Sequence, residues 1–285
     1  VAHASSVAAI VTARRPRLGP KEQRKLEELL ARVAEIKRTP MSAPERDALL
    51  QDVGTKLVSA FGETAEGYAV LGGALARRNE KGKLLPRAIM NLEKAVELNP
   101  IDAESWFYLG NARFELTAHV VESSRRDQLD AALAALTRAI DLAPSNFEAY
   151  QVRGVIEANL GRRLDALSDL TEGARLAEAL LPKEPEQHVD RPTVDGTKVA
   201  GYWGACAQQA LLAERFPLAA EAASHMLRLA PDNAKPACQA LLDAAQGALG
   251  LGDRATAKTA LDRLPVRLDP ELARRRDELV SALGR

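Results

Sequence analysis

The residues best suited to chemistry in this chain are four histidines, His3, His119, His188 and His225, and two cysteines, Cys206 and Cys238. A zinc site draws its thiolate and imidazole ligands from pairs spaced a few residues apart. None of these histidines has a second histidine or a cysteine at such a spacing. Two cysteines are also too few for a disulfide framework. No G-x-S-x-G elbow, phosphate-cradling P-loop or G-x-G-x-x-G turn occurs. Lys81-Gly82-Lys83 reads as a solvated charged turn and Asp195-Gly196-Thr197 as a turn, with Val194 and Val199 flanking a short hairpin. Cys206 falls where a helix wants a small buried residue, so its reading is packing rather than a reactive thiol. The expectation is no catalytic residue, no metal and no cofactor.

The elements that position side chains are helical. Aromatics are 4% of the 285 residues, while Ala, Leu, Glu and Arg abound, which favours helix over a β-sandwich. Charge balances at 39 basic against 39 acidic residues, unlike a domain that holds nucleic acid by bulk charge. No apolar run is long enough to span a bilayer. Leu26, Leu29, Leu30, Val33 and Ile36 recur at helical spacing over 20–38, with Pro20 suited to the first turn and Thr39-Pro40 as the stop. A second helix is expected over about 43–61, opened by a Ser42/Glu45 capping box and striped by Leu49, Leu50, Val53, Leu57 and Phe61. Asp102 should open the Trp106 helix. Ser145 and Glu148 form a second capping box, and Asp269-Pro270 opens a last helix over 270–283. An insertion near Thr117–Arg126 has no Gly or Pro and is expected to lengthen both helices beside it.

A repeat underlies the pattern. Large residues Tyr68, Trp106, Tyr150, Trp203 and Leu241 are each followed by a small one, Ala88, Ala132, Ala166, Ala219 and Ala257. The spacings fit a unit of about 34 residues with insertions. Trp106, Leu109, Gly110, Ala132, Leu136, Ala139 and Pro144 resemble the complete tetratricopeptide repeat pattern. Tyr68, Leu71, Gly72, Ala88, Leu92, Ala95 and Pro100 match upstream. Tyr150, Gly154, Ala166 and Leu170 match downstream, with Gly173 in place of Ala and Glu178 in place of Pro. Beyond residue 200 the pattern loosens, with Cys206-Ala207 standing where Leu-Gly belongs. The physical content is that a small residue on each helix of a pair lets the two approach, and each pair must then stack on the next to bury its apolar face.

The resemblance implies an all-α, right-handed solenoid of antiparallel helix pairs. It divides as a basic extended arm over 1–19, an N-terminal capping pair over 20–62 and strongly matching repeats over 63–180. A Pro-rich insertion follows over 181–199, then degenerate repeats with a capping helix over 200–285. It also implies a concave groove lined by the first helix of each pair. The groove positions are Glu66, Glu104 and Glu148 in first turns, then Phe107, Asn111, Phe114, Gln151, Val155 and Gln208. Three glutamates in a row would favour a basic peptide; first-turn glutamates also simply complement the helix dipole. Phe107, Asn111 and Phe114 read either as a binding hot spot or as core beneath a neighbouring helix. The family's clamp for acidic chaperone C-termini needs Lys and Arg at positions 2, 5 and 6 of helix A, which hold none here, so that partner is excluded.

The functional expectation is a non-catalytic scaffold, adaptor or assembly factor that holds a protein or peptide partner in its groove as part of a larger complex. The rival is a structural subunit docked through the insertion and the arm, whose Arg14, Arg15 and Arg17 precede the first acid, Glu22. That arm reads equally as a plastid or mitochondrial transit-peptide remnant, which would place the protein in an organelle. A helical-repeat RNA binder would need a basic groove, and the charge balance speaks against it.

Overall fold

The computed structural model describes residues 18–62, 64–181 and 195–284. The described residues form thirteen α-helices, short turns and no strand. They fall into two compact units, Val1–Pro144 and Ser145–Arg285.

The first unit holds α1 (Pro20–Arg38), α2 (Ala43–Ala60), α3 (Ala65–Arg78), α4 (Leu85–Leu98), α5 (Ala103–Leu116) and α6 (Glu122–Leu142). Successive helices pack on one another, and α3 also meets α5. The apolar stripes of α1 and α2 close into one core of Leu26, Val33, Ile36, Leu50, Val53, Leu57 and Phe61, which Ala74 of α3 joins. A second core, including Leu75, Leu85, Leu92, Leu109 and Ala135, runs through α3 to α6.

The small residues of the repeat make this nesting possible. A Cβ on Gly110 would stand 2.6 Å from Leu136 Cγ and 3.1 Å from the Ala132 carbonyl oxygen. In the next repeat a Cβ on Gly154 would stand 2.8 Å from Leu170 Cγ and 3.1 Å from the Ala166 carbonyl oxygen. The repeating leucine of the second helix therefore sits in the slot left by the missing side chain of the first.

The second unit holds α7 (Phe147–Asn159), α8 (Arg163–Glu178), α9 (Gly196–Leu212), α10 (Phe216–Leu229), α11 (Lys235–Gly250), α12 (Arg254–Asp262) and α13 (Pro270–Leu283). Alanines dominate its cores, with Leu170, Val199, Trp203 and Cys206 in one and Leu241, Leu242, Leu261 and Leu272 in the other. Leu279 and Leu283 of α13 pack against the core that holds Leu272.

Four local expectations need correction. The 117–126 insertion lengthens only α6, which has 21 residues, while α5 keeps 14. The Ser42 hydroxyl makes no capping bond. At α7 the cap is Asn146, whose side chain accepts from the Ala149 N–H at 3.1 Å, one residue beyond Ser145. Asp195-Gly196 makes no hairpin turn. Asp195 caps α9, its carboxylate accepting from the Lys198 N–H at 2.7 Å, and Val199 is buried within that helix. Asp102 and Asp269 do cap α5 and α13.

Candidate functional site

In the first unit, α1, α3 and the start of α5 enclose a cleft of about 230 Å³. Leu30 and Val33 of α1, Leu50 of α2, and Ala65, Ala69 and Val70 of α3 make its apolar wall. The expected groove residue Glu66 lines it, with Ala69, Gly73 and Arg77 along the same side of α3. α5 contributes Glu104, Ser105 and Tyr108, and the turn before it contributes Asn99 and Asp102.

The charged groups here are tied down. Arg77 Nε donates to Asp47 Oδ1 at 2.6 Å, and Asp47 is a buried carboxylate of α2. The same guanidinium lies over the Tyr108 ring, 5.0 Å from its centroid, so one arginine joins α2, α3 and α5. Lys37 Nζ stands 3.3 Å from Glu104 and links α1 to α5. Asp102 accepts from the Glu104 N–H at 3.2 Å and from the Ser105 hydroxyl at 2.5 Å. The two cations of the cleft, Lys37 and Arg77, lie outside the clamp positions 2, 5 and 6.

The other groove candidates distribute as follows. Phe107, Asn111 and Phe114 share a face of α5, are partly buried, and belong neither to the cleft wall nor to the cores of this unit. The Phe107 ring packs against Tyr108, with centroids 5.3 Å apart. Asn111 donates to Glu115 at 2.8 Å, and Asn79 of the preceding pair donates to the other Glu115 oxygen at 2.5 Å. Burial raises the Glu115 carboxyl pKa, and the Asn111 bond opposes that shift. Near these groups Asn79, Glu80, Lys81 and Gly82 all have positive φ, and the His119 ring covers Gly82, where no Cβ would fit. His119 thus has a packing role.

In the second unit Glu148 and Gln208 are exposed and Val155 is 38% exposed. Gln151 is a correction. It is 8% exposed, and its amide donates to the Leu170 carbonyl at 2.9 Å, so packing takes up the side chain. A Cβ on Gly173 would stand 2.7 Å from that amide nitrogen. The departure from the repeat at Gly173 therefore makes room for Gln151. The other departure, Glu178, is likewise occupied. It accepts from Trp203 Nε1 at 2.7 Å, faces His225 Nδ1 at 2.9 Å and pairs with Arg228, while the Trp203 and His225 rings stack with centroids 4.1 Å apart. Burial works against ionisation of Glu178, but the bonds from Arg228 and Trp203, with the neighbouring His225 and Arg228, outweigh it and hold its carboxyl below the ordinary value.

Cys206 and Cys238 are buried free thiols, and burial pushes Cys206 up to about 12. Among the described residues no group of three or more His, Cys, Asp or Glu is placed to hold a metal ion, and no helix is long and apolar enough to cross a membrane. His3, His188, Arg14, Arg15, Arg17 and most of the 181–199 insertion lie outside the described residues.

No family model matches the chain. Over 86 residues it is 31% identical to the human PEX5-related protein, a stretch that is 30% of this chain and only 12% of that protein. The structure resembles YrrB, a TPR protein with an unusual peptide-binding site, at a TM-score of 0.51 and 17% identity, covering 79% of this chain and 97% of that one. It also resembles a thermophilic TPR protein of Thermus thermophilus, at a TM-score of 0.47 and 20% identity, covering 78% of this chain and 99% of that one. The helices of each unit and the likeness to YrrB show an all-α fold of antiparallel helix pairs. With the repeat pattern, this is the fold of the tetratricopeptide repeat proteins.

Proposed function

We propose that this chain is a non-catalytic interaction scaffold or assembly factor, and that the α1–α3–α5 cleft is where a peptide or partner helix seats a side chain. The observation that carries this reading is the cleft wall itself: Glu66, Ala69 and Val70 of α3 face Leu30 and Val33 of α1 there, beside fixed charges at the rim. Such a site works by shape and a few desolvated anchors rather than by chemistry. Phe107 and Phe114, outside the cores, extend the docking face along α5, with Glu115 holding Asn111 between them. Lys37 and Arg77 each already face a carboxylate, which supports the exclusion of acidic C-terminal peptides.

Affinity capture from the source cell with the wild-type chain, Ala69→Trp, and Phe107→Ala/Asn111→Ala tests this. Ala69→Trp fills the cleft and should abolish capture of at least one partner; the α5 double variant should weaken it at least tenfold. A partner set unchanged by both variants would refute groove docking and turn attention to the opposite faces of the helix pairs.

A further inference from the structure

We infer that Glu178, Trp203, His225 and Arg228 form a proton-operated clamp: protonation of His225 exchanges its partner Arg228 for Glu178 and fastens α8 to α10 across the indole of α9. The four side chains come from three successive helices of the second unit, Glu178 from α8, Trp203 from α9, and His225 and Arg228 from α10.

The observation behind it is a conflict at one atom. His225 Nδ1 stands 2.9 Å from Glu178 Oε2 and 2.8 Å from Arg228 Nη2. A guanidinium nitrogen only donates, and an ionised carboxylate only accepts. Nδ1 has a single in-plane position, filled by a proton or by a lone pair. With a proton, it donates to Glu178 and sets hydrogen against hydrogen toward Arg228. With a lone pair, it accepts from Arg228 and turns that pair on a carboxylate oxygen. Each state satisfies one contact and opposes the other, so the two bonds form in turn.

The neutral state leaves no group orphaned. Glu178 Oε2 accepts from Trp203 Nε1 at 2.7 Å and Oε1 accepts from Arg228, so the carboxylate does not need the imidazole. Among the described residues nothing hydrogen-bonds His225 Nε2, which holds the ring proton there. Nδ1 then accepts the second hydrogen of Arg228 Nη2. The Glu178 carboxyl, held below the ordinary value, stays an ionised acceptor while a histidine changes charge.

Protonation reverses the partners. The new Nδ1–H pushes Arg228 away, and that side chain, 57% exposed, has water to swing into, while His225 is 27% exposed and stays seated. The imidazolium then makes a charge-assisted bond to Glu178. It also lies as a cation on the Trp203 face, with centroids 4.1 Å apart and the rings 17° from parallel. Both attractions exist only in the charged state, so acid tightens the clamp. Of the other charged groups, Glu221 stands one turn earlier on α10, and among the described residues no hydrogen bond or ion pair reaches His225 from α11, α12 or α13.

The test is NMR of the full chain with nitrogen-15 histidine, the His225 signals being assigned by their loss in His225→Gln. The expected result is a bare Nδ1 and a protonated Nε2 above about pH 8, and protons on both nitrogens below about pH 5. Arg228→Met removes the donor and should move the neutral proton onto Nδ1, where Glu178 alone remains to receive it. Indole emission is the second readout, in a Trp106→Phe chain whose one tryptophan is Trp203. Emission should fall in step with protonation of His225, as the cation forms against the ring, and His225→Gln should remove the fall. An Nδ1 that carries its proton at every pH, with or without Arg228, overturns the inference. So does Trp203 emission that stays constant while His225 titrates.

Discussion

Replacing Gly110 by alanine should destabilise the first unit, although alanine is the better helix former. Gly110 lies within α5, so on propensity alone the change gains about 1 kcal/mol. The added carbon would stand 2.6 Å from Leu136 Cγ, about 1 Å inside an ordinary carbon–carbon contact, and 3.1 Å from the Ala132 carbonyl oxygen. Leu136 is fully buried, and the Ala132 oxygen is backbone, so relief requires α5 and α6 to separate. Overpacking of this kind costs about 1–3 kcal/mol. The net expectation is a loss of up to about 2 kcal/mol, centred on about 1 kcal/mol, a Tm lower by about 4 °C at the centre of that range. Gly201→Ala is the internal control. It lies in α9 with nothing within 4 Å of an added Cβ, so it should stabilise the second unit by about 1 kcal/mol. The chain has two tryptophans, Trp106 in the first unit and Trp203 in the second. In a Trp203→Phe background, urea unfolding followed by fluorescence reports the first unit alone. A Gly110→Ala midpoint at or above that of the parent would refute the claim that the repeat glycines exist to let helices nest.

Further outcomes follow from the second unit. Gly173→Ala should cost up to about 2 kcal/mol after alanine's helix gain, and part of that loss should vanish in a Gln151→Ala background, because the two share one space; additive urea midpoints would contradict the pairing. Glu157 is pushed up to about 7, chiefly by burial and then by the Asp169 charge, and one of its carboxylate oxygens is buried without a partner. A carboxyl whose folded value is raised favours the native state below its unfolded value near 4.5, and that advantage is lost as pH rises through about 7. Glu157→Gln should therefore raise stability at pH 8 by about 1 kcal/mol after solvent screening, with a smaller effect at pH 5, as read from urea midpoints. Glu178 has the opposite sign: its depressed carboxyl contributes above the unfolded value and the contribution is lost as pH falls below about 4.5, so Glu178→Gln should flatten the acid limb of the second unit's stability curve. Native Cys206 and Cys238 should resist a thiol reagent at pH 8 and react fully in denaturant.

Much of the fold is legible in the residues. The α1 stripe, the Pro20 start and the Asp269-Pro270 start all declare helices because their signals are local and redundant. The glycine-to-leucine nesting is legible too, since the same pair recurs at Gly110 and Gly154. What escapes reading is decided by neighbours far along the chain. Ser145 and Asn146 are both competent caps, and the helix register selects the second. Asp195-Gly196 fits a hairpin turn or a helix start, and the helix wins because Val199, Trp203 and Cys206 are drawn to one buried face. Gln151 looks like a groove amide until Gly173, on another helix, leaves it a hole to fill. Lys37 and Arg77 enter the cleft from helices whose local sequence gives no sign of it, and for Arg77 only Asp47 and Tyr108 together explain where it points. Such couplings span tens of residues, beyond any periodicity within one helix.

The central functional claim is that the cleft between α1, α3 and α5 receives a partner. Methyl-resolved NMR of the full chain, with alanine and valine methyl groups labelled, tests it most directly as a captured partner peptide is added. The predicted result is that Ala65, Ala69, Val33 and Val70 shift in a saturable way while Ala131, Ala134 and Val155 stay unmoved. Saturable shifts confined to that second group, with Ala69 and Val70 unchanged, would contradict it.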